Sequence, residues 1–294
     1  MSAPVFLGIK YQLILVEACG HQVGCEFDEK DEVPPATGAE YKSASRQLDA
    51  LAEKLAGVFG LTSWEGVAEA SCAAEIVTLS SAMQDAAPID VGMFHVVATQ
   101  ALRILTARRE FHAIHDRLLA ASLQVRELEA AGQLTAAQAL ESAVAAQAEA
   151  DRAATQGTLV TTTAASTAQV ANLTAALDGL ADRVGVTSGP GSSSGAWVSV
   201  EPAGLTRIAS VLGSYSVELK VPSIVGPRVL EEVWATHGRG VTDAFKQGLA
   251  EHTSARTTLL ERIKEKMTAR AASLTRTATL YQNSDQAAAL AVTR

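Results

Sequence analysis

Residues 90–131, DVGMFHVVATQALRILTARREFHAIHDRLLAASLQVRELEAA, carry the pattern that decides the fold. Within them Phe94, Val97, Ala101, Ile104, Leu105, Phe111, His115, Leu118, Ser122, Val125 and Leu128 hold one seam. The seam keeps to a single helical face for about ten turns, so the stretch reads as one long helix. Gly132 stops it, and Thr135-Ala-Ala-Gln138 resembles a capping box that opens another helix. Residues 136–185 are rich in Ala and Thr, and Gly157 with Thr161-Thr162-Thr163 lowers helix propensity midway. A kink or break is expected near 157–163.

Upstream, Ala44, Leu48, Leu51, Leu55 and Val58 mark one face of a helix over 41–59, which Gly60 ends. Beyond Trp64-Glu65-Gly66 a second helical run reaches about Ala86, and Pro88 is expected to break the chain before the long helix. Two helices joined so tightly make an antiparallel hairpin.

Downstream, Ser188-Gly-Pro-Gly-Ser-Ser-Ser-Gly195 has little to bury and reads as a linker over 188–196. It separates a helical module at 41–187 from a second at 197–294. In the second, Glu201-Pro202 opens a helix to about Leu219, and Val221-Pro-Ser-Ile-Val-Gly-Pro227 turns the chain. A long helix is then expected over about 228–284, with a seam of Val233, Val241, Phe245, Leu249, Leu260, Ile263, Met267, Leu274, Ala278 and Tyr281. Residues 1–40, with two short apolar runs, an acidic cluster and Pro34-Pro35, read as a leader that is a short hairpin or partly disordered.

Composition agrees with an all-α fold. The 294 residues are 48% hydrophobic but only 4% aromatic, which favours helices packed through small side chains over a thick globular centre. A net charge of −8 argues against a general nucleic-acid binder, which needs a basic stripe. Arg256, Arg262, Lys264, Lys266, Arg270 and Arg276 do cluster on one helix, but Glu261 and Glu265 interleave with them and the group reads as a solvated face. The apolar stretch FLGIKYQLILVEACG is split by Lys10 and ended by Glu17, far short of the ~20 residues of a membrane span. It also lacks the charged start and cleavage site of a signal peptide, so export would use another route.

Candidate chemistry is sparse. Cys19 and Cys25 flank His21 and allow a small disulfide loop, half a metal site or isolated thiols; Cys72 stands apart. His112 and His115 are three apart, as helical metal ligands are, but no Glu-x-x-His pairs on other helices complete such a site, and packing or surface histidines are the plainer reading. There is no nucleophile elbow and no phosphate-cradling glycine loop. The chain reads as non-enzymatic, with no cofactor and no metal.

Two short motifs remain. Trp64-Glu65-Gly66 occupies a turn, where the indole can simply staple the hairpin, and Tyr281-Gln-Asn-Ser-Asp285 sits at the expected end of the last helix. An Asp at a helix C-terminus opposes the macrodipole, so something besides local stability would place it there. The second module resembles ESX (type VII) secretion-associated substrates of the EspC type. The shared features are Val200-Glu-Pro202 with Leu205, Thr236-His237-Gly238 with Phe245, and Ala278-x-x-Tyr281-x-x-x-Asp285. The first module is similar to the WxG half of such systems, as in EspA- or PPE-like partners. The resemblance implies an antiparallel, elongated bundle of helical hairpins whose WxG turn and Tyr-x-x-x-Asp end form one export signal. Trp64, Gly66, Tyr281 and Asp285 would carry it here. It further implies a secreted or cell-envelope, virulence-associated protein recognised by a secretion ATPase, with a secretion chaperone and homo-oligomerisation as further options. An intracellular helical scaffold or adaptor is the alternative.

Overall fold

The computed structural model describes residues 8–23, 25, 27, 38–58, 67–185, 201–219 and 243–292. Among these the protein is all-α, with six helices and no strand. They are α1 (Gly8–Gln22), α2 (Ala39–Ala56), α3 (Val67–Ala130), α4 (Leu134–Gly185), α5 (Pro202–Glu218) and α6 (Asp243–Val292). The chain divides into two compact units: Met1–Gly38, His95–Val170 and Val229–Leu249 form the first, and Ala39–Phe94, Ala171–Arg228 and Ala250–Arg294 the second. The expected linker at 188–196 and the expected helical segment at 228–242 lie outside the described residues.

The seam in α3 is buried at Val97, Ala101, Ile104, Leu105, Phe111, His115, Leu118 and Val125, as its spacing requires. The helix ends in a Schellman turn. The amide of Gln133 donates to the carbonyl of Leu128 at 2.8 Å and that of Gly132 to Glu129 at 2.9 Å, while Gly132 takes φ +73°, a conformation free of strain only without a Cβ. The next helix starts at Leu134, so its cap is Gln133, two residues before the expected cap at Thr135. The carbonyl of Gln133 accepts the first bond, from Ala137, at 3.0 Å.

At three places tertiary packing gives helix where local propensity pointed elsewhere. Residues 8–22 form a helix in place of the short hairpin, with Ile9, Gln12, Val16 and Cys19 buried at helical spacing, and most of the remainder of the leader lies outside the described residues. Pro88 lies inside α3 and does not break it. Pro88 is on the exposed face, as is Gln84, whose carbonyl loses its helical donor there, while Met83, Ala86, Ala87, Ile89 and Asp90 are buried around it. The run Thr161–Thr163 does not break α4 either. Thr161 and Thr162 turn their hydroxyls back to the carbonyls of Gly157 and Leu159, at 2.9 and 3.1 Å. Thr163 is buried and takes part in a contact with α3.

In the first unit α3 and α4 run antiparallel, shown by the pairs Arg117–Asp151, Glu110–Thr155 and Gln100–Thr163. A buried polar layer fixes their register. Gln100 donates to Thr163 Oγ1 at 2.7 Å and accepts from Ser166 at 2.9 Å, while Arg103 donates to Ser166 at 3.1 Å. Helix α1 lies along both, Glu17 meeting His115, and Cys19 meeting Gln156.

In the second unit α2 runs antiparallel to α3, as Ser80 bonds the carbonyl of Ala52 and Lys42 sits over the Phe94 ring. The antiparallel hairpin read from the sequence is therefore present. Helix α6 runs antiparallel to α3, through Asp90–Arg256 and Glu75–Arg270, and parallel to α4, through Thr174–His252 and Asp182–Arg262. One apolar cluster joins all five helical segments of this unit, with Leu48 and Leu55 of α2, Ile76 and Met83 of α3, Leu177 of α4, Ile208 and Leu212 of α5, and Leu259 and Ile263 of α6.

Candidate recognition surface on the last helix

Helix α6 repeats buried positions at Leu260, Ile263, Met267, Leu274 and Ala278, and this stripe sets which residues beyond it face outward. Tyr281 ends the stripe, half-buried against the apolar cluster. Asp285 follows one helical turn later and is exposed. The helix does not end there but continues to Val292, so the expectation of an unfavourable Asp at a helix C-terminus is corrected. An aromatic ring held by the core and a free carboxylate on the same face form a small two-point feature. Trp64 and Gly66, the other two predicted signal residues, lie outside the described residues.

A second polar feature of α6 was missed in the sequence. Arg256, read there as part of a solvated face, is buried. Its Nε and Nη2 each donate to a carboxylate oxygen of Asp90 at 2.8 Å, a two-point geometry that fits guanidinium to carboxylate. One turn earlier His252 is fully buried, with Nδ1 3.4 Å from Thr174 Oγ1 and the Tyr41 ring edge-on at 5.9 Å. Burial, aided by the Arg256 charge, pushes the His252 pKa down to about 3, and burial pushes the Tyr41 phenol up to about 12. Burial also raises the Asp90 carboxyl, against the pull of Arg256. Two further arginines of this helix are paired as well: Arg262 with Asp182 at 3.1 Å and Arg270 with Glu75. The only sequence signal for this was an Arg four residues after a His, in a stretch otherwise patterned as seam.

Among the described residues, the histidines and cysteines of the first unit are placed by packing contacts. Phe27 is packed by the rings of His21, His112 and His115 at 5.9, 5.1 and 4.6 Å. All three cysteines are free and buried: Cys19 accepts from Gln156 at 2.8 Å, and Cys25 contacts the carbonyl of Arg108. Burial drives the Cys72 thiol up to about 11, which suppresses the reactive thiolate. A cleft of about 510 Å³ is lined by Cys19, Val23, Phe111, Leu159 and Val160 among others, and brings no acid–base pair together. Among the described residues no three metal-ligating side chains converge, and no helix is long and apolar enough to cross a membrane.

Comparison with known families singles out the same end of the chain. Residues 196–293 match the family model described as "Excreted virulence factor EspC, type VII ESX diderm". No curated protein matches the chain, and no solved structure does. The matched region takes in all of α5 and α6, including Tyr281, Asp285, His252 and Arg256. The C-terminal third of this chain is similar to the EspC-type substrates of type VII secretion systems.

Proposed function

We propose that the chain is a non-enzymatic substrate or secreted component of an ESX type VII secretion system that acts through helix–helix contacts. It leaves the cytoplasm by a route independent of a conventional signal peptide, towards the cell envelope or medium. The observation that carries this reading is the family match over 196–293, which encloses Tyr281 and the exposed Asp285 one turn beyond it. Tyr281 would give the secretion ATPase, or a secretion chaperone, an apolar anchor that is already positioned, and Asp285 an orienting charge. Trp64 and Gly66 would complete the signal.

Export of Asp285→Ala and Tyr281→Ala, followed as the ratio of protein in the medium to protein in cells, tests the reading. Asp285 is exposed, so its substitution should leave the thermal midpoint unchanged while secretion falls at least about tenfold, the size of one lost docking contact of 1.4 kcal/mol. Undiminished secretion of both variants would overturn the signal role.

A further inference from the structure

The cleft of about 510 Å³ in the first unit has no part in export by Tyr281 and Asp285, yet it is built as ligand sites are. Its volume falls within the roughly 300–1,000 Å³ of pre-formed small-molecule sites. Cys19 and Val23 enter it from the end of α1, Phe111 from α3, and Leu159 and Val160 from α4. Cys19, Val23 and Phe111 are buried, while Val160 is 64% exposed at the rim. The lining part of α4, residues 156–163, spans about 10 Å at 1.5 Å per residue. Gly157 sits in that stretch, although glycine weakens a helix interior. Among the described residues a Cβ there would meet nothing within 4 Å, so packing does not require the glycine, and its missing side chain leaves room in the cleft.

The polar atoms of the lining narrow the ligand. Among the described residues no Asp, Glu, Lys, Arg or His lines the cleft. The hydroxyl of Thr161 is spent on the carbonyl of Gly157, that of Thr163 accepts from Gln100, and Gln22 is exposed. Gln156 differs from these. Its Oε1 accepts from Arg152 at 3.1 Å, but its Nε2 gives one N–H to the Cys19 thiol, a weak acceptor, and has a second with no protein partner among the described residues. An oxygen brought by a ligand is a better acceptor than that sulfur.

We propose that the cleft between α1, α3 and α4 binds an uncharged single-chain amphiphile, with a medium-length alkyl body and a hydroxyl or carbonyl oxygen at one end. The alkyl body lies against Val23, Phe111 and Leu159, and the oxygen accepts from Gln156 Nε2. A carboxylate would be desolvated with no cation in the lining to meet it, so the neutral form is selected. This inference stands whether or not Tyr281 and Asp285 signal export.

Calorimetric titration of the full-length protein with octan-1-ol and with octanoate at pH 7 tests it. Octan-1-ol should bind one to one, and octanoate at least about tenfold more weakly, because its charge enters unpaired. Gly157→Leu fills the cleft with a better helix former, so the thermal midpoint should hold or rise while octan-1-ol binding weakens at least about tenfold. Gln156→Leu removes the donor and should weaken the alcohol about three- to tenfold. Methyl NMR of the wild type locates the site even if a variant fails to fold. The methyl groups of Val23, Leu159 and Val160 should shift with octan-1-ol, and those of Leu259 and Met267 in the second unit should not. No binding to the wild type, shifts confined to other methyl groups, or a folded Gly157→Leu that binds the alcohol undiminished overturns the site. Octanoate binding as tightly as octan-1-ol overturns the uncharged ligand, and a Gln156→Leu that binds the alcohol undiminished overturns the role of the amide.

Discussion

The two units join helices by different chemistry. In the second, large side chains such as Leu48, Met83, Leu177 and Leu259 form one apolar cluster, and the charged pair buried within it is fully matched. In the first, α4 brings Ala137, Ala148, Thr155, Thr163 and Ser166 to its buried face. Small and hydroxylated side chains bury little apolar area, and they offer little shape by which one helix can recognise its position on another. The hydrogen-bonded layer of Gln100, Arg103, Thr163 and Ser166 supplies that position instead. An apolar cluster gives strength with loose directionality, whereas an Ala- and Thr-rich seam needs directional bonds to hold one register.

Truncation should separate the two regimes most sharply. Leu259 is fully buried in the cluster, and Leu259→Ala should cost about 2–5 kcal/mol by denaturant titration, through lost transfer energy and the cavity left behind. A loss under about 1 kcal/mol would mean that the cluster collapses around the gap, and the contrast between the units would disappear.

Acid should act next, through the second unit. His252 has its pKa depressed to about 3, against about 6.5 in an unfolded chain, so the unfolded state takes up a proton that the folded state refuses. Its contribution is therefore undiminished above about pH 6.5 and is lost progressively as pH falls toward 3. At pH 5 the loss is about 2 kcal/mol relative to pH 7. Comparing His252→Leu with the wild type over pH 7–5 isolates this group from the carboxylates, and the variant should show a shallower decline. Parallel declines in the two proteins would remove His252 as the cause.

What the sequence made legible follows the same division. Apolar periodicity located α2, α3 and most of α6, because a buried stripe on a long helix leaves a repeat that no other structure produces. Gly132 was readable because a positive φ leaves few alternatives to glycine. Arg256 was not, since its partner is 166 positions away and its charged neighbours imitate a solvated face. Helix α1 escaped because Gln12 occupies a buried position in its stripe and blurs the repeat. Pro88 and Thr161–Thr163 suggested breaks for one reason: propensity costs about 3 kcal/mol for a Pro and under about 1 kcal/mol for each Thr, and the summed long-range contacts of a long buried helix exceed it. Of the candidate surface, Tyr281 and Asp285 were found as a motif, but their place within a continuing helix was not, because Ala-rich sequence beyond Asp285 carries no seam to read.

The smallest expected effect tests the first unit on its own terms. Thr163→Val keeps the volume of the side chain and removes the hydroxyl that accepts from Gln100 Nε2. Val is a little less suited to a helix than Ala but close to Thr, so propensity cancels and the change reports the hydrogen bond. Gln100 is fully buried and would be left with a donor directed at a methyl group, while its oxygen keeps the bond from Ser166. The cost should be about 1–2 kcal/mol, since an unmet buried donor loses more than the net worth of a bond. Amide hydrogen exchange should quicken around 100 and 163 with Leu259 unaffected. A second change, Gln100→Leu, should recover part of the loss, because an apolar pair removes the orphaned donor. Recovery would show that the layer works by satisfaction of polar groups, and a further loss instead would show that Ser166 and Arg103 depend on Gln100 for their own geometry.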